Sequence, residues 1–585
     1  MKALTIKNIH KGFLLIFLIG LGKFTAIGQV QVSKNLISIY QKVAQEKLFV
    51  HTNASVLFPG EKLSYKVYGF NNETKKTDNI SKIGYVALIG KDKKIIFEHK
   101  IRIAFDGYSS GDFIIPSDLS TGNYKLIAYT QWMRNAGDTN FSVNEINIIN
   151  PFLAYTPPAS QAQKTNQEAV YSNAALILQL PKKVFSKREN VILELKTAEK
   201  KGIIGNFSIS VRKVSKLNTP NYKSIEELVK EAKYVTRKNT FVEKQNSYEV
   251  YAPEHKGELI TGVVKDKKGN PMAGVGIALS IPGDAFILTT TKTNTLGMFY
   301  FDIESSYSSS KAVLQVTSSH KDDVLIEVHQ PGKFSFDHLK FKDVYLTTSQ
   351  IDAIKKRIIA SQIENAYSEV KKDQIISTKA TATFYKPDYV YHLDDFKRFP
   401  SISETMVEVV EHSWITRKRG KHTFHVRDYK SEESALLPLI LIDGMLVQNH
   451  EELFNLPVAE VKTISIITDR FLYQNVTYGG VILVDTASRN YELTSSGNYL
   501  KKIRLQSPEE NKIYYQPNYQ TNRSSLTSIP DFRYQLYWNP SVQLNSSGNQ
   551  VSFFTSDVTG KFEIVLEGFT SDDKPISIRE TIVVK

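Results

Sequence analysis

Apolar positions along this chain fall mainly into short runs bounded by Gly, Pro, Asn and Asp, the pattern of strands and turns. The clearest stretch is LPLILIDGMLVQNHEELFNLPVAEVKTISIITDRFLYQNVTYGGVILVDT, from Leu437 to Thr486. LPLILID ends in an Asp-Gly turn, VKTISIIT alternates, and GGVILVDT follows a Gly pair. All three are β-branched and predict strands, with a short helix over 449–456 between the first two. The same pattern predicts a strand, a Pro59-Gly60 turn and a strand over 46–70, then strands at YVALI, KIIFEHKI, GDFIIP and GNYKLIAYT. Further strands are expected at LILQL, NVILELKT and NFSISVRKV within 176–214, across 258–303, and at QLYWNP, QVSFFTSD and KFEIVLEGFT within 531–570. Helical spacing is confined to 32–45, to 223–233 with a Ser224–Glu227 capping box, and to 349–370 with Ile351, Ile354, Ile358, Ile363 and Ala366 as its apolar face.

These elements predict a mainly β, multidomain protein: tandem β-sandwiches plus a small α+β unit. The expected divisions are a presequence at 1–28, a sandwich at 29–152, a linker at 153–173 and a second sandwich with a helical insert at 174–256. A third, smaller sandwich follows at 257–330, then a helical connector at 331–385, the α+β unit at 386–490, an irregular linker at 491–528 and a C-terminal sandwich at 529–585. Residues 235–256 are charged and read as a loop, and Pro157-Pro158 marks the linker.

Composition narrows the classes. With 41% hydrophobic and 23% charged residues, there is material for several cores. The net charge is +14, spread along the chain, with RKRGKH at 417–422 the densest run. No RRM, helix-turn-helix or zinc-finger pattern accompanies it, so nucleic acid is not the expected partner, and an anionic glycolipid surface or an acidic partner is. There is no cysteine, which removes disulfides, thiol nucleophiles, thiolate metal sites and a lipobox anchor. Lys2, Lys7 and Lys11, the apolar stretch Gly12 to Leu21 and Ala26-Ile27-Gly28 form the three regions of a signal peptide. No later segment is apolar for long enough to span a bilayer. The expectation is an exported protein, periplasmic or at the cell surface.

The 437–486 stretch resembles the plug domain of TonB-dependent outer-membrane receptors, especially those of Bacteroidota. Pro438-Leu439 with Asp443-Gly444, then Leu453 to Ile467, then Tyr478-Gly479-Gly480-Val481-Ile482 to Thr486 carry the resemblance, and Arg417 to His425 sits where that family has an Arg-Gly strand. A receptor's barrel of 22 strands of ~10 residues needs at least ~220 residues, whereas 99 follow Thr486. No convincing TonB box precedes the stretch, so the resemblance implies a plug without its barrel. Residues Phe49 to Thr52, Pro59-Gly60-Glu61 and Gly122-x-Tyr124-x-Leu126-x-Ala128 resemble a macroglobulin-like domain, without the Cys-Gln thioester of full α2-macroglobulins. Gly262, Val263, Asp266, Gly269, Pro271, Gly274-Val275, Thr293-Asn294, Gly297 and Phe299 resemble the carboxypeptidase regulatory-like domain, a transthyretin-like sandwich that often precedes plug domains. Asp531 to Pro540 resembles C-terminal modules of surface proteins from the same bacteria.

Candidate chemistry is sparse. His255-x-x-Glu258 has the spacing of a zinc carboxypeptidase pair but opens a small sandwich. His422-x-x-His425 has no carboxylate partner in sequence, His450-Glu451-Glu452 lacks a second histidine, and Asp394-Asp395 reads as a solvated turn. No nucleophile elbow, P-loop or dinucleotide fingerprint occurs in its required context. No cofactor, metal or enzymatic activity is expected. The resemblances imply a non-enzymatic subunit or scaffold of an outer-membrane complex, its plug-like domain docking to a partner β-barrel in secretion, barrel assembly or nutrient import. Membrane association would be peripheral, through that partner. The residues expected at the contact are Asp443, Gly444, Tyr478, Gly479, Gly480 and the basic Arg417, Lys418 and Arg419. The alternatives are an exported ligand-binding or adhesion protein, and a macroglobulin-type protease inhibitor without a thioester whose bait lies at 153–173.

Overall fold

A computed structural model describes residues 29–33, 43–103, 108–155, 176–197, 204–215, 217, 219–232, 242–244, 247–317, 321–329, 334–376, 386–427, 436–474, 476–520, 529–545 and 548–585. The presequence and nearly all of the 153–173 linker fall outside them. So do residues 34–42 of the expected first helix, while its Val32 and Ser33 belong to strand Gln29–Ser33. The chain is mainly β and multidomain, with tandem sandwiches and a small α+β unit. Among the described residues, no helix is long and apolar enough to cross a membrane.

The first sandwich packs an antiparallel sheet of Glu46–Thr52, Lys62–Asn71 and Tyr108–Ile114 against a five-stranded sheet. The latter runs in the order Val56–Leu57, Ser142–Ile148, Gly122–Tyr129, Ile83–Ile89, Ile95–Arg102. Alternate residues of both sheets, including Leu48, Val50, Tyr65, Val67, Tyr85, Leu126 and Ile146, meet in one core. The Pro59-Gly60 turn has φ +81° at Gly60, where a Cβ would lie 2.2 Å from the Asn365 side chain. The turn is therefore a seat for the connector helix Ile351–Ala366.

The second sandwich corrects the expected division. Strands from the segments assigned to separate modules at 174–256 and 529–585 share two sheets. Asn190–Thr197 lies between Leu176–Gln179 and Asn549–Phe554 in one. Gly205–Lys213 lies between Gly560–Thr570 and Gln535–Leu544 in the other. Val191, Leu193, Phe207, Ile209, Leu566 and Ile578 form a single core. Each segment alone leaves an open apolar face; together they close it. Helix Ile225–Glu231 carries the predicted capping box. The expected 235–256 loop contains strands Val242–Lys244 and Ser247–Tyr251, the latter paired with Gln29–Ser33.

The third sandwich has the sheet order Met298–Ile303, Glu258–Asp266, Val324–Val328, packed on Ile287–Lys292, Gly276–Ile281, Lys311–Val316, Leu500–Arg504. Its last strand comes from the linker expected to be irregular. That linker also pairs Lys512–Ile513 with Gln374–Ile375.

The α+β unit has a five-stranded sheet ordered Tyr389–His392, Val461–Ile467, Val481–Thr486, Leu439–Ile442, Met445–Leu446. Leu439–Ile442 runs parallel to Val481–Thr486, a pairing that requires the intervening crossover. Helices Ile402–Glu408 and Glu451–Phe454 cover it. Two hairpins stand outside the sheet: Ser413–Lys418 with Lys421–Val426, and Phe471–Tyr473 with Val476–Tyr478.

Candidate functional site

The 413–426 hairpin turns through Arg419 (φ +51°) and Gly420 (φ +78°), the two positive φ values of a type I′ turn. Register pairs Trp414 with His425, Thr416 with Thr423, and Lys418 with Lys421. Side chains alternate across a strand, so these six share one face, while Ser413, Ile415, Arg417, His422, Phe424 and Val426 share the other. The second face packs at its base. Phe424 and Val426 are buried, His422 lies flat on Phe454 at 3.5 Å, and the His422 ring sits 3.2 Å from Glu451. His450 Nδ1 accepts the Phe424 N–H at 2.9 Å. Burial lowers the His450 pKa to about 4, so it is neutral in that role.

The first face is open. Trp414 is 40% exposed and stacks on His425 at 5.0 Å and 12°. Thr416 Oγ1 lies 2.9 Å from His425 Nε2. Arg417, Lys418 and Arg419 are exposed at the tip, and no ion pair among the described residues involves them.

The other expected contact residues have different surroundings. Asp443 is fully buried at φ +51°. Its carboxylate accepts the Thr486 N–H at 2.7 Å, the Thr486 hydroxyl at 2.6 Å and the Tyr491 N–H at 3.0 Å. Gly444 has φ +80°, and a Cβ there would lie 2.0 Å from Cβ of Phe286 in the third sandwich. Asp443 and Gly444 are thus a junction within the chain, and the expectation that they offer a docking loop is corrected. Gly480 is closed over by Val426 and the Ile467 carbonyl. Gly479 is buried and donates to the Leu437 carbonyl at 3.0 Å. Tyr478 is half-buried against the apolar cluster of Leu439, Leu441, Phe471 and Val481 that joins the α+β unit to Ala278 and Leu288 of the third sandwich. These residues build the fold around the hairpin and lie outside its exposed face.

Charges that the sequence reading did not single out lock the sandwiches together. Glu61 receives Arg357 of the connector helix at 2.8 and 2.6 Å and Arg212 of the second sandwich at 3.0 Å. The buried face of that helix therefore centres on Ile354, Arg357 and Ala360, and Ile351 points to solvent. The two arginines hold Glu61 below the usual carboxylate range against the opposing effect of burial. Lys100 and Glu258, both fully buried, meet at 2.5 Å between the first and third sandwiches. Beside them, Tyr85 donates to Glu254, whose pKa is pushed up to about 8 by burial and then by neighbouring Glu258. Between the first and second sandwiches, His51 Nδ1 lies 2.6 Å from Ser208 Oγ, and Tyr68 donates to the Glu567 carbonyl at 2.7 Å. His51 and Ser208 are nearly or wholly inaccessible, so this pair joins two sheets and meets no solvent. A clue was available in sequence: Arg357 falls on the helix stripe between Ile354 and Ile358, and Glu61 follows the Pro-Gly turn.

The remaining sequence candidates separate. His255 is exposed, whereas Glu258 is buried on Lys100. His422 and His425 lie on opposite hairpin faces. Glu452 accepts the Thr494 N–H and hydroxyl at 3.0 and 2.9 Å. Asp394 is exposed and pairs with Arg398 at 2.6 Å. No cluster of three potential metal ligands occurs among the described residues. The cleft between Lys371, Tyr519, Asp531 and Arg533 encloses about 10 Å³, far below the ~300–1,000 Å³ of small-molecule sites.

No family model and no curated protein matches the chain. Among solved structures, Escherichia coli α2-macroglobulin activated by porcine elastase aligns over 92% of this chain and 44% of its own, at 9% identity and TM-score 0.23. Salmonella α2-macroglobulin reacted with methylamine aligns over 96% and 40%, at 9% identity and TM-score 0.23. Dimeric latent PorU from Porphyromonas gingivalis aligns over 49% and 34%, at 11% identity and TM-score 0.14. The chain spans less than half the length of these proteins, and scores this low establish no common arrangement.

Proposed function

We propose that the chain is an exported, non-enzymatic scaffold of an outer-membrane protein complex. Its α+β unit docks to a partner β-barrel engaged in secretion, barrel assembly or nutrient import, and its sandwiches hold that unit in place. The observation that carries this reading is the division of charge. Buried ion pairs join the sandwiches to one another and to the connector helix, while the α+β unit keeps a hairpin whose tip cations have no described counter-charge. The docking face is accordingly the hairpin and the neighbouring edge strand Tyr389–His392, where Tyr389 and Val390 are exposed, and excludes Asp443-Gly444. The resemblance of the 437–486 sequence to plug domains supports the class of partner and no particular one.

A photo-crosslinking residue placed at Val390, and separately at Ile114 on the first sandwich, tests it in cells that naturally make the protein. Both positions are exposed. Crosslinking of one β-barrel protein from Val390 and not from Ile114 is the expected result. No barrel adduct from Val390 would overturn the docking reading in favour of a free ligand-binding or inhibitory role.

A further inference from the structure

We infer that the 413–426 hairpin is a membrane-surface anchor that binds the phosphate headgroups of an anionic lipid bilayer directly. Three observations converge on it. Arg417, Lys418 and Arg419 are consecutive, exposed and without an ion pair among the described residues, and Lys421 faces Lys418 across the turn. Among the described residues, other surface cations are found both paired, as Lys93 on Asp337 and Lys311 on Glu492, and outside any ion pair, as Lys355 and Lys356, but there the next residue, Arg357, is buried on Glu61, whereas all three of the hairpin run are exposed. A concentrated cation cluster, in which only Lys421 has a carboxylate, Glu451, acting on it, attracts an anionic surface.

Second, the aromatic residue is placed where an interfacial anchor needs it. Trp414 shares the open face with Lys418 and Lys421, four residue pairs behind them, and its ring is stacked on His425. A strand rises about 3.3 Å per residue. The indole therefore lies about 13 Å from the Lys418–Lys421 pair along the strand, and, apolar with one polar N–H, it enters the headgroup layer together with those lysines when the hairpin lies on the surface by this shared face. Burial keeps His425 below its usual pKa, so the stacked pair adds no charge of its own near neutral pH.

Third, the tip itself suits a fluid surface, while the hairpin's flank and the edge strand Tyr389–His392 remain for the folded partner. Stable protein interfaces bury about 800 Å² per partner around aromatic or Arg anchors seated in pockets. A two-stranded hairpin ending in a two-residue turn presents no recess for such an anchor. A bilayer requires none, because its headgroups rearrange around each cation. Arg419 occupies the left-handed position where Asn or Asp is usual in such turns, which sets a guanidinium at the furthest point of the projection.

The test uses the full chain and vesicles of phosphatidylcholine, with and without phosphatidylglycerol, in a flotation assay. No other protein is present, so the result is independent of the barrel-docking reading. The triple variant Arg417→Ala/Lys418→Ala/Arg419→Ala, compared side by side with the parent, cancels any contribution from residues 1–28. Each surface cation contributes roughly fivefold to binding, so the triple variant should lose on the order of 100-fold affinity for the anionic vesicles. Trp414→Ala should lose less and also weaken the salt-resistant part of binding. Parent and triple variant should be equal on phosphatidylcholine alone. Equal binding of both proteins to the anionic vesicles would overturn the proposal. So would failure of the parent to float with them while it binds polyglutamate in a manner that depends on Arg417 to Arg419, which would assign the hairpin to an acidic polypeptide.

Discussion

The sandwich junctions and the 413–426 hairpin use the same cations in opposite circumstances. At the junctions, Lys100 and Arg357 are buried, Arg212 is largely covered, and each meets a carboxylate. On the hairpin, Arg417, Lys418 and Arg419 are in water. Removing a charge from water costs several kcal/mol, recovered only when a partner is fixed in good geometry. A buried pair therefore specifies which faces may meet, because a mismatched junction would strand an ion. An exposed cluster carries no such constraint and weakens the fold slightly by self-repulsion. The pattern separates groups that assemble the molecule from groups left for something outside it.

The largest effect should come from splitting a junction pair. Glu258→Ala leaves Lys100 buried without its carboxylate and should destabilise the chain by about 3–5 kcal/mol, read as a lower urea midpoint. Pairing it with Lys100→Met should recover most of the loss; no recovery would show that the pair matters for another reason. Next is Gly444→Ala, which combines an unfavourable φ with a Cβ placed against Phe286. It should cost about 2–4 kcal/mol, with partial relief when Phe286→Ala is added.

The pH dependence is third. Burial raises the Glu254 pKa to about 8 and those of Glu567 and Glu509 to about 7. The folded chain then holds protons that the unfolded chain, titrating near 4.5, has released. Their contribution is fully present below about pH 4.5 and is lost as pH rises through 7 to 8. His51, lowered to about 3 by burial, acts in the opposite sense, losing stability as pH falls below 6.5. Tm should therefore fall between pH 5.5 and 8.5, and Glu254→Gln should flatten that fall; a steeper fall would contradict the assignment. The smallest effect is expected where the comparison predicts none. Arg417→Ala/Lys418→Ala/Arg419→Ala should leave the unfolding free energy from urea titration within about 0.5 kcal/mol of the parent.

Local elements were legible in the sequence. Alternation marks the strands of the first and third sandwiches, the Ser224 capping box marks its helix, and the apolar runs at Leu439–Ile442, Val461–Ile467 and Val481–Thr486 mark the α+β sheet. What pattern does not carry is which distant strands pair. Leu193 faces Val551, and Ile209 faces Leu566. Each run alternates in the same way whether its partner is ten residues away or several hundred. Strand Leu500–Arg504 was hidden for a related reason: its sequence LKKIR is largely polar, and only its place beside Lys311–Val316 makes it a strand. At the candidate site, the charge run at 417–422 was visible, but the burial of Asp443-Gly444 was not. A sequence shows an Asp-Gly turn; only the fold shows Phe286 standing over it.

The most direct test of the scaffold reading is native purification of the tagged chain from detergent-solubilised envelopes of cells that naturally make it. The account predicts stoichiometric recovery of one β-barrel protein. Recovery of the chain alone, from the soluble periplasmic fraction, would contradict it.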